Sequence, residues 1–156
     1  MQTLGHALRE LALALWFGGG LAMLVATRAI FAAAPDRPLA GRISGAVLLR
    51  YQLLRGLSAV ALGGSALLGV RGPATVLGLV GILLQLVSSP IDTRLRRLRA
   101  ALTDAPPDDP RRRTFGALHG VSVLLLLAQI AAAGAGLALP VAAARGVSLP
   151  GTVHAQ

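Results

Sequence analysis

Apolar positions fill four long stretches of this chain, and short polar, proline-bearing breaks separate them. The first apolar stretch runs from about Leu11 to Ala34. It is longer than the roughly 7–15 residues of a secretory signal core, and Pro35 directly after Ala32-Ala33-Ala34 makes a poor cleavage site, so it reads as a retained membrane helix. Pro35 and Pro38 end that helix, and Asp36 stands where an N-cap for the next one belongs. The second stretch, Ala46 to Val70, stops at Gly72-Pro73, a glycine past one helix end and a proline at the next helix start. The third, Ala74 to Ser88, is shorter than the ~20 residues that cross a bilayer perpendicularly. The fourth runs from Phe115 to Leu139, with Asp109 and Pro110 as cap and first turn and Pro140 as stop.

Between the third and fourth stretches the pattern changes. Ser89-Pro90-Ile91-Asp92 resembles a helix start. Behind it Ile91, Leu95, Leu98 and Leu102 recur at helical spacing, with Arg94, Arg96, Arg97 and Arg99 on the other faces. This predicts an amphipathic helix over about 90–102 in the headgroup region, or a continuation of helix three into water. Residues 103–110 form a turn-rich linker. The expected fold is all-α: a single four-helix transmembrane domain over 1–140 with helices at about 6–34, 38–71, 74–89 and 110–139. A short amphipathic cytoplasmic helix lies between helices three and four, and 141–156 is a tail.

Composition narrows the class. Of 156 residues 54% are hydrophobic and 13% charged, with no cysteine, which excludes disorder, disulfide scaffolds and cysteine-based metal sites. All fifteen basic residues are arginine and the net charge is +9. Such a charge can mark a nucleic-acid binder. Here the arginines sit mostly in connectors, and one tryptophan, one tyrosine and three phenylalanines are few for base stacking, so no nucleic-acid partner is expected. By position the charge is a topology signal. Connector one carries Arg37 and Arg42, flanked by Arg28 and Arg50; connector three carries seven arginines; the N-terminal segment, connector two and the tail carry only Arg9, Arg71 and Arg145. Positive charge stays cytoplasmic. The expected location is a bacterial inner (plasma) membrane, multi-pass, with both termini extracytoplasmic and Tyr51 at the inner interface.

Small residues spaced four apart, as in Gly116 and Gly120, and the Gly18-Gly19-Gly20 run suggest close helix packing, against a background of nineteen glycines. Polar side chains within membrane segments are costly and often functional. Arg28, Arg55, Gln85, His119 and Ser122 are the candidate ligand-binding residues, all expected at one depth in the inner third and without a buried carboxylate. Their arginine forks suit phosphate or carboxylate. The competing reading has the arginines snorkelling to headgroups and Gln85 and Gln129 bonding between helices. No paired carboxylates, HExxH or CxxC motif occurs, and no catalytic residue, metal or cofactor is expected; the chain reads as a non-enzyme.

Leu15-Trp16-Phe17-Gly18-Gly19, Phe31, Pro90 and Phe115-Gly116-Ala117-Leu118-His119-Gly120-Val121-Ser122 resemble the transmembrane protein 205-like family of small four-helix membrane proteins, over about residues 10–135. The resemblance implies motif roles for Trp16, Gly18, Gly19, Pro90, Phe115, His119, Gly120 and Ser122. One departure is Leu125-Leu126-Leu127, where the family often carries an asparagine. The family has no established activity. The expected function is binding or moving an anionic lipid or small molecule near the cytoplasmic face. The alternative is an accessory or assembly subunit, whose partners would be membrane lipids, other membrane-protein subunits or a second copy.

Overall fold

The computed structural model describes residues 1–103, 105–106 and 108–144, the last five by backbone alone, so most of the tail expected at 141–156 lies outside the described residues. Four helices follow one another: α1 (Gln2–Ala33), α2 (Arg37–Leu67), α3 (Pro73–Ala101) and α4 (Arg111–Ala144). No strand occurs among the described residues.

Local chemistry sets most of the boundaries. Proline disfavours helical backbone in the residue before it; Ala34, preceding Pro35, is accordingly extended at φ −73°, ψ 139°. The Asp36 carboxylate then caps α2, accepting from the Leu39 amide at 2.6 Å. α2 ends earlier than its apolar pattern suggests, at Leu67 rather than near residue 71. Gly69 takes φ +80°, and the Val70 and Gly69 amides donate back to the Ser65 and Ala66 carbonyls at 3.2 and 3.0 Å. This reverse-turn cap needs a residue that tolerates positive φ, and Gly69 supplies it one turn ahead of Gly72. Asp109 caps α4, accepting from the Arg111 amide at 2.8 Å and from its guanidinium. These contacts pull the Asp109 carboxyl down to about 2.

Two expectations fail at prolines. No separate amphipathic helix starts at Pro90, and helix three does not stop at residue 89: α3 is one helix from Pro73 to Ala101, with Pro90 inside it. Proline removes one ladder donor from a helix interior, so Pro90 frees the Leu86 carbonyl. The hydroxyls on either side bond other carbonyls, Ser88 Oγ donating to Gln85 at 3.0 Å and Thr93 Oγ1 to Ser89 at 3.0 Å. Likewise the backbone of α4 stays helical past Pro140.

α1 packs along α2 and α4, and α3 packs along α4; α2 and α3 touch less, and α1 and α3 barely. The backbones of α2 and α4 stay more than 8 Å apart at Cα, so these two helices face each other across the bundle diagonal. One half of the interior is mainly apolar, with Ser65, Thr75 and Arg9 buried at its far end. Ala12, Leu13, Trp16, Leu62 and Ala133 form its buried core, with Phe17, Ile82 and Leu137 against it. Small residues on α3 and α4 receive these large side chains: a Cβ on Gly78 would lie 2.7 Å from Leu62, and one on Gly136 would lie 3.1 Å from Leu13.

Outside, the bundle is apolar. Leu4, Val25, Leu53, Leu57, Val60, Leu83, Leu86 and Leu124 are all exposed, far beyond what water-soluble monomers leave uncovered. α1, α3 and the Arg111–Leu139 part of α4 are long and apolar enough to cross a membrane. α2 is not among them.

Candidate functional site

The other half of the interior, toward the arginine-rich end formed by connectors one and three, is polar. Its centre is Arg55, near the midpoint of α2 and only 2% exposed. Four elements hold it. Arg55 Nη2 donates to Ser88 Oγ of α3 at 3.1 Å and to Gln129 Oε1 of α4 at 2.6 Å. The guanidinium stands 5.7 Å from the centroid of the Tyr51 ring, one turn back on α2, a cation–π distance. The Tyr51 hydroxyl in turn donates to the Trp16 carbonyl of α1 at 3.1 Å. Arginine is long enough to bridge the diagonal that the α2 and α4 backbones do not.

Glycines make room for this arrangement. A Cβ on Gly19 would lie 2.9 Å from the Tyr51 ring, and one on Gly20 would run into Ile130 and lie 3.0 Å from the Tyr51 hydroxyl. The glycine run is thus the seat of Tyr51 and Ile130, while Gly18 meets nothing within 4 Å.

A second polar layer lies one turn further toward the arginine-rich end. Asp92 of α3, 7% exposed, accepts from Gln52 Nε2 of α2 at 3.0 Å and from Ser122 Oγ of α4 at 2.7 Å. Arg96 extends this network outward by donating to Gln52 Oε1 at 3.2 Å. Beyond it Arg99 stands over the Phe115 ring at 5.7 Å, and Phe115 stacks with His119 at 6.0 Å.

The five sequence candidates therefore separate. Arg55 is the hub. Gln85 lies beside it, offering its carbonyl to Ser88, with its own buried Oε1 unpartnered. Ser122 joins the layer through Asp92 rather than through an arginine. Arg28 and His119 are exposed, and no hydrogen bond joins either to the layers among the described residues. The polar groups fall into successive layers along the bundle rather than at one level. The expectation of a carboxylate-free interior is also overturned, because Asp92 is buried within it. Asp92 reads as a helix-start residue only if the chain breaks at Pro90. On a continuous α3 it continues the buried face of Gly78, Gly81, Ser88 and Leu95, a helical spacing already present in the sequence. Gln129 is an interhelical bonding residue, as its sequence position suggested, and its partner is the buried arginine.

Several polar atoms of the first layer lack partners. Arg55 Nε and Gln129 Nε2, both donors, are buried without an acceptor, and Ser58 Oγ is in the same state. A buried cation costs several kcal/mol unless it is paired, and no carboxylate lies within ion-pair distance of Arg55 among the described residues. The layer thus leaves two donors open, Arg55 Nε and Gln129 Nε2, against one open acceptor, Gln85 Oε1, and its charge is positive. No three metal-ligating side chains gather among the described residues.

On the opposite side of Tyr51, α1 and α2 leave an open groove of about 350 Å³ walled by Ala22, Met23, Ala26, Val47 and Leu54, with Arg50 at its edge. Compared with protein families, curated proteins and solved structures, the chain matches none.

Proposed function

We propose that this chain is a four-span membrane protein that binds, or helps move, an anionic lipid or small molecule through a phosphate or carboxylate group held at Arg55. One observation carries this reading: the two side chains that bond each other at the centre of the bundle, Arg55 and Gln129, each keep a buried N–H donor without an acceptor. Buried donors left unpaired are costly, and an anion satisfies them and neutralises the cation at once. Ser88 and Ser58 are the further groups within the same layer. Asp92 sets the layer's lower boundary, because its charge repels an anion and Gln52 and Ser122 hold it on the arginine-rich side. The role is binding rather than catalysis, since no nucleophile–base pair accompanies Arg55.

The four-span reading rests on which way α2 faces. Its average hydropathy is lowered by Arg50, Gln52 and Arg55, yet Gln52 and Arg55 point inward. Its outer stripe is Leu49, Leu53, Leu57 and Val60, the last 74% exposed. A bilayer meets the outer face, not the average. With α2 as a span, the arginine-rich end is cytoplasmic and both termini are extracytoplasmic. We assign the chain to the transmembrane protein 205-like family on the motif residues of its sequence.

The test uses the protein's single tryptophan. Its indole is buried in the apolar core, so its emission follows unfolding of the bundle. Titrating purified protein in neutral detergent with inorganic phosphate, succinate or phosphatidylglycerol is expected to raise Tm, read from Trp16 emission, for at least one of them, and Arg55→Met abolishes that response. A wild-type protein indifferent to all three overturns the reading.

The subunit alternative has its own observation: Gly116 and Gly120 on α4, beside exposed Val121 and Leu124, meet nothing within 4 Å, and small faces admit close helix approach in membranes. A stoichiometric larger partner after mild-detergent purification supports it; a lone monomer or dimer removes it.

A further inference from the structure

The groove between α1 and α2 takes no part in the Arg55 layer. It opens outward, toward the surface that carries the exposed leucines, and Tyr51 separates it from Arg55. It is lined by Gly19, Ala22, Met23 and Ala26 of α1 and by Val47 and Leu54 of α2. The residues that define it span about 10 Å of α1 at the rise of an α-helix. Its volume is about 350 Å³, and it is open along one side rather than enclosed. Such a slot takes a stretch of hydrocarbon chain running along the helices.

Its one charged residue is Arg50, exposed on α2. The Tyr51 hydroxyl is already committed to the Trp16 carbonyl. An occupant is therefore apolar along most of its length and anionic at one place. The surroundings have the same sign. Eleven of the fifteen arginines lie in or beside connectors one and three in the sequence, against Asp36, Asp92, Asp104, Asp108 and Asp109. Of those five, Asp36 and Asp109 cap helices and Asp92 is enclosed by Gln52 and Ser122. The end of the bundle at which the groove lies thus attracts acidic headgroups.

We propose that the α1–α2 groove is a site for an acidic phospholipid, with one acyl chain along Ala22, Ala26 and Val47 and the headgroup phosphate on Arg50. Arginine suits this role because its fork pairs bidentately with phosphate, and its long stem leans toward the arginine-rich start of α2, shortening the distance to headgroup level. The site is distinct from the Arg55 layer and stands whether or not that layer binds an anion.

Native mass spectrometry of the full chain, released from neutral detergent after incubation with equimolar phosphatidylglycerol and phosphatidylcholine, tests it. Wild type is expected to retain phosphatidylglycerol about fivefold over phosphatidylcholine, the preference one interfacial arginine supplies. Arg50→Gln brings the ratio to about one. Ala26→Phe, which fills the slot, lowers retention of both lipids. Arg42→Gln removes the same charge from the same end of α2 outside the groove and keeps the preference. Equal retention of the two lipids by wild type overturns the proposal. So does an undiminished preference in Arg50→Gln, and so does a loss in Arg42→Gln as large as that in Arg50→Gln, which would mean diffuse attraction rather than a site.

Discussion

Arg55 shows how much one side chain can organise when its charge has nowhere else to go. It is bonded to α3 and α4 and stacked over α2's own Tyr51, which is tied to α1. A single cation thereby links α2, α3 and α4 directly and α1 through Tyr51. The interaction with Gln129 bears most of the load, because it is short, charge-assisted and crosses the diagonal where no backbone contact helps. Gln129→Leu removes that acceptor and leaves the guanidinium less satisfied. The expected loss is about 2 kcal/mol, in the range for hydrogen bonds to charged groups, read as a lower Tm by Trp16 emission in detergent. Gln129→Glu keeps an acceptor and adds the missing negative charge, so it restores Tm and lowers the response to added anions. A Gln129→Leu protein as stable as wild type would show that Arg55 is held by its other contacts.

At the level of elements, caps and prolines behaved differently as signals. Asp36 and Asp109 act where their sequence contexts put them, because capping depends on residues two or three positions apart and nothing distant competes. The Asp109 cap has a pH signature. Its carboxyl is held at about 2 by Arg111, below the roughly 3.9 of an unfolded aspartate. A depressed folded value stabilises above the unfolded pKa and is lost as pH falls through the folded one. The start of α4 should therefore hold its helix at pH 4 and above and loosen only as pH approaches about 2. A carboxyl titration followed by NMR checks the midpoint; a value near 4 would mean the Asp109–Arg111 pair is absent in solution. Prolines misled because their local preference is overridable. Pro90 breaks an isolated helix, but α3 keeps Ser88, Asp92 and Leu95 in contact with α2 and α4 on either side of it, and tertiary packing offsets the lost bond.

For the whole molecule, the division of the interior into an apolar half and a polar half matters more than any average. α2 is the clearest case. Its inward polar residues Gln52 and Arg55 depress its mean hydropathy while its outward face, apart from Arg50, is leucine and valine over Leu49–Val60, so composition understates what a bilayer would meet. Topology can be read by labelling, since the chain has no cysteine of its own. Single cysteines at His6 and Arg71 should react with an impermeant maleimide from one side of sealed membranes, and those at Arg42 and Asp108 only from the other. If Arg71→Cys labels from the same side as Arg42→Cys, α2 does not cross.

Helical class, the capped starts of α2 and α4, the apolar exterior and the charge asymmetry of the connectors were all legible in the sequence. Each depends on local spacing or on solvent preference summed along one segment. So was the importance of Arg55, as a charge inside an apolar run. What only the tertiary structure decided was company. Arg28 and His119 look equivalent to Arg55 in one dimension, yet they face outward, and Asp92, Tyr51, Gln52 and Gln129 take their places. Whether a helical residue faces lipid or its neighbours depends on the rotation of each helix within the bundle. That rotation is set by how large side chains such as Trp16 and Leu13 enter the gaps at Gly81 and Gly136 on other helices. No spacing within a single segment encodes that fit.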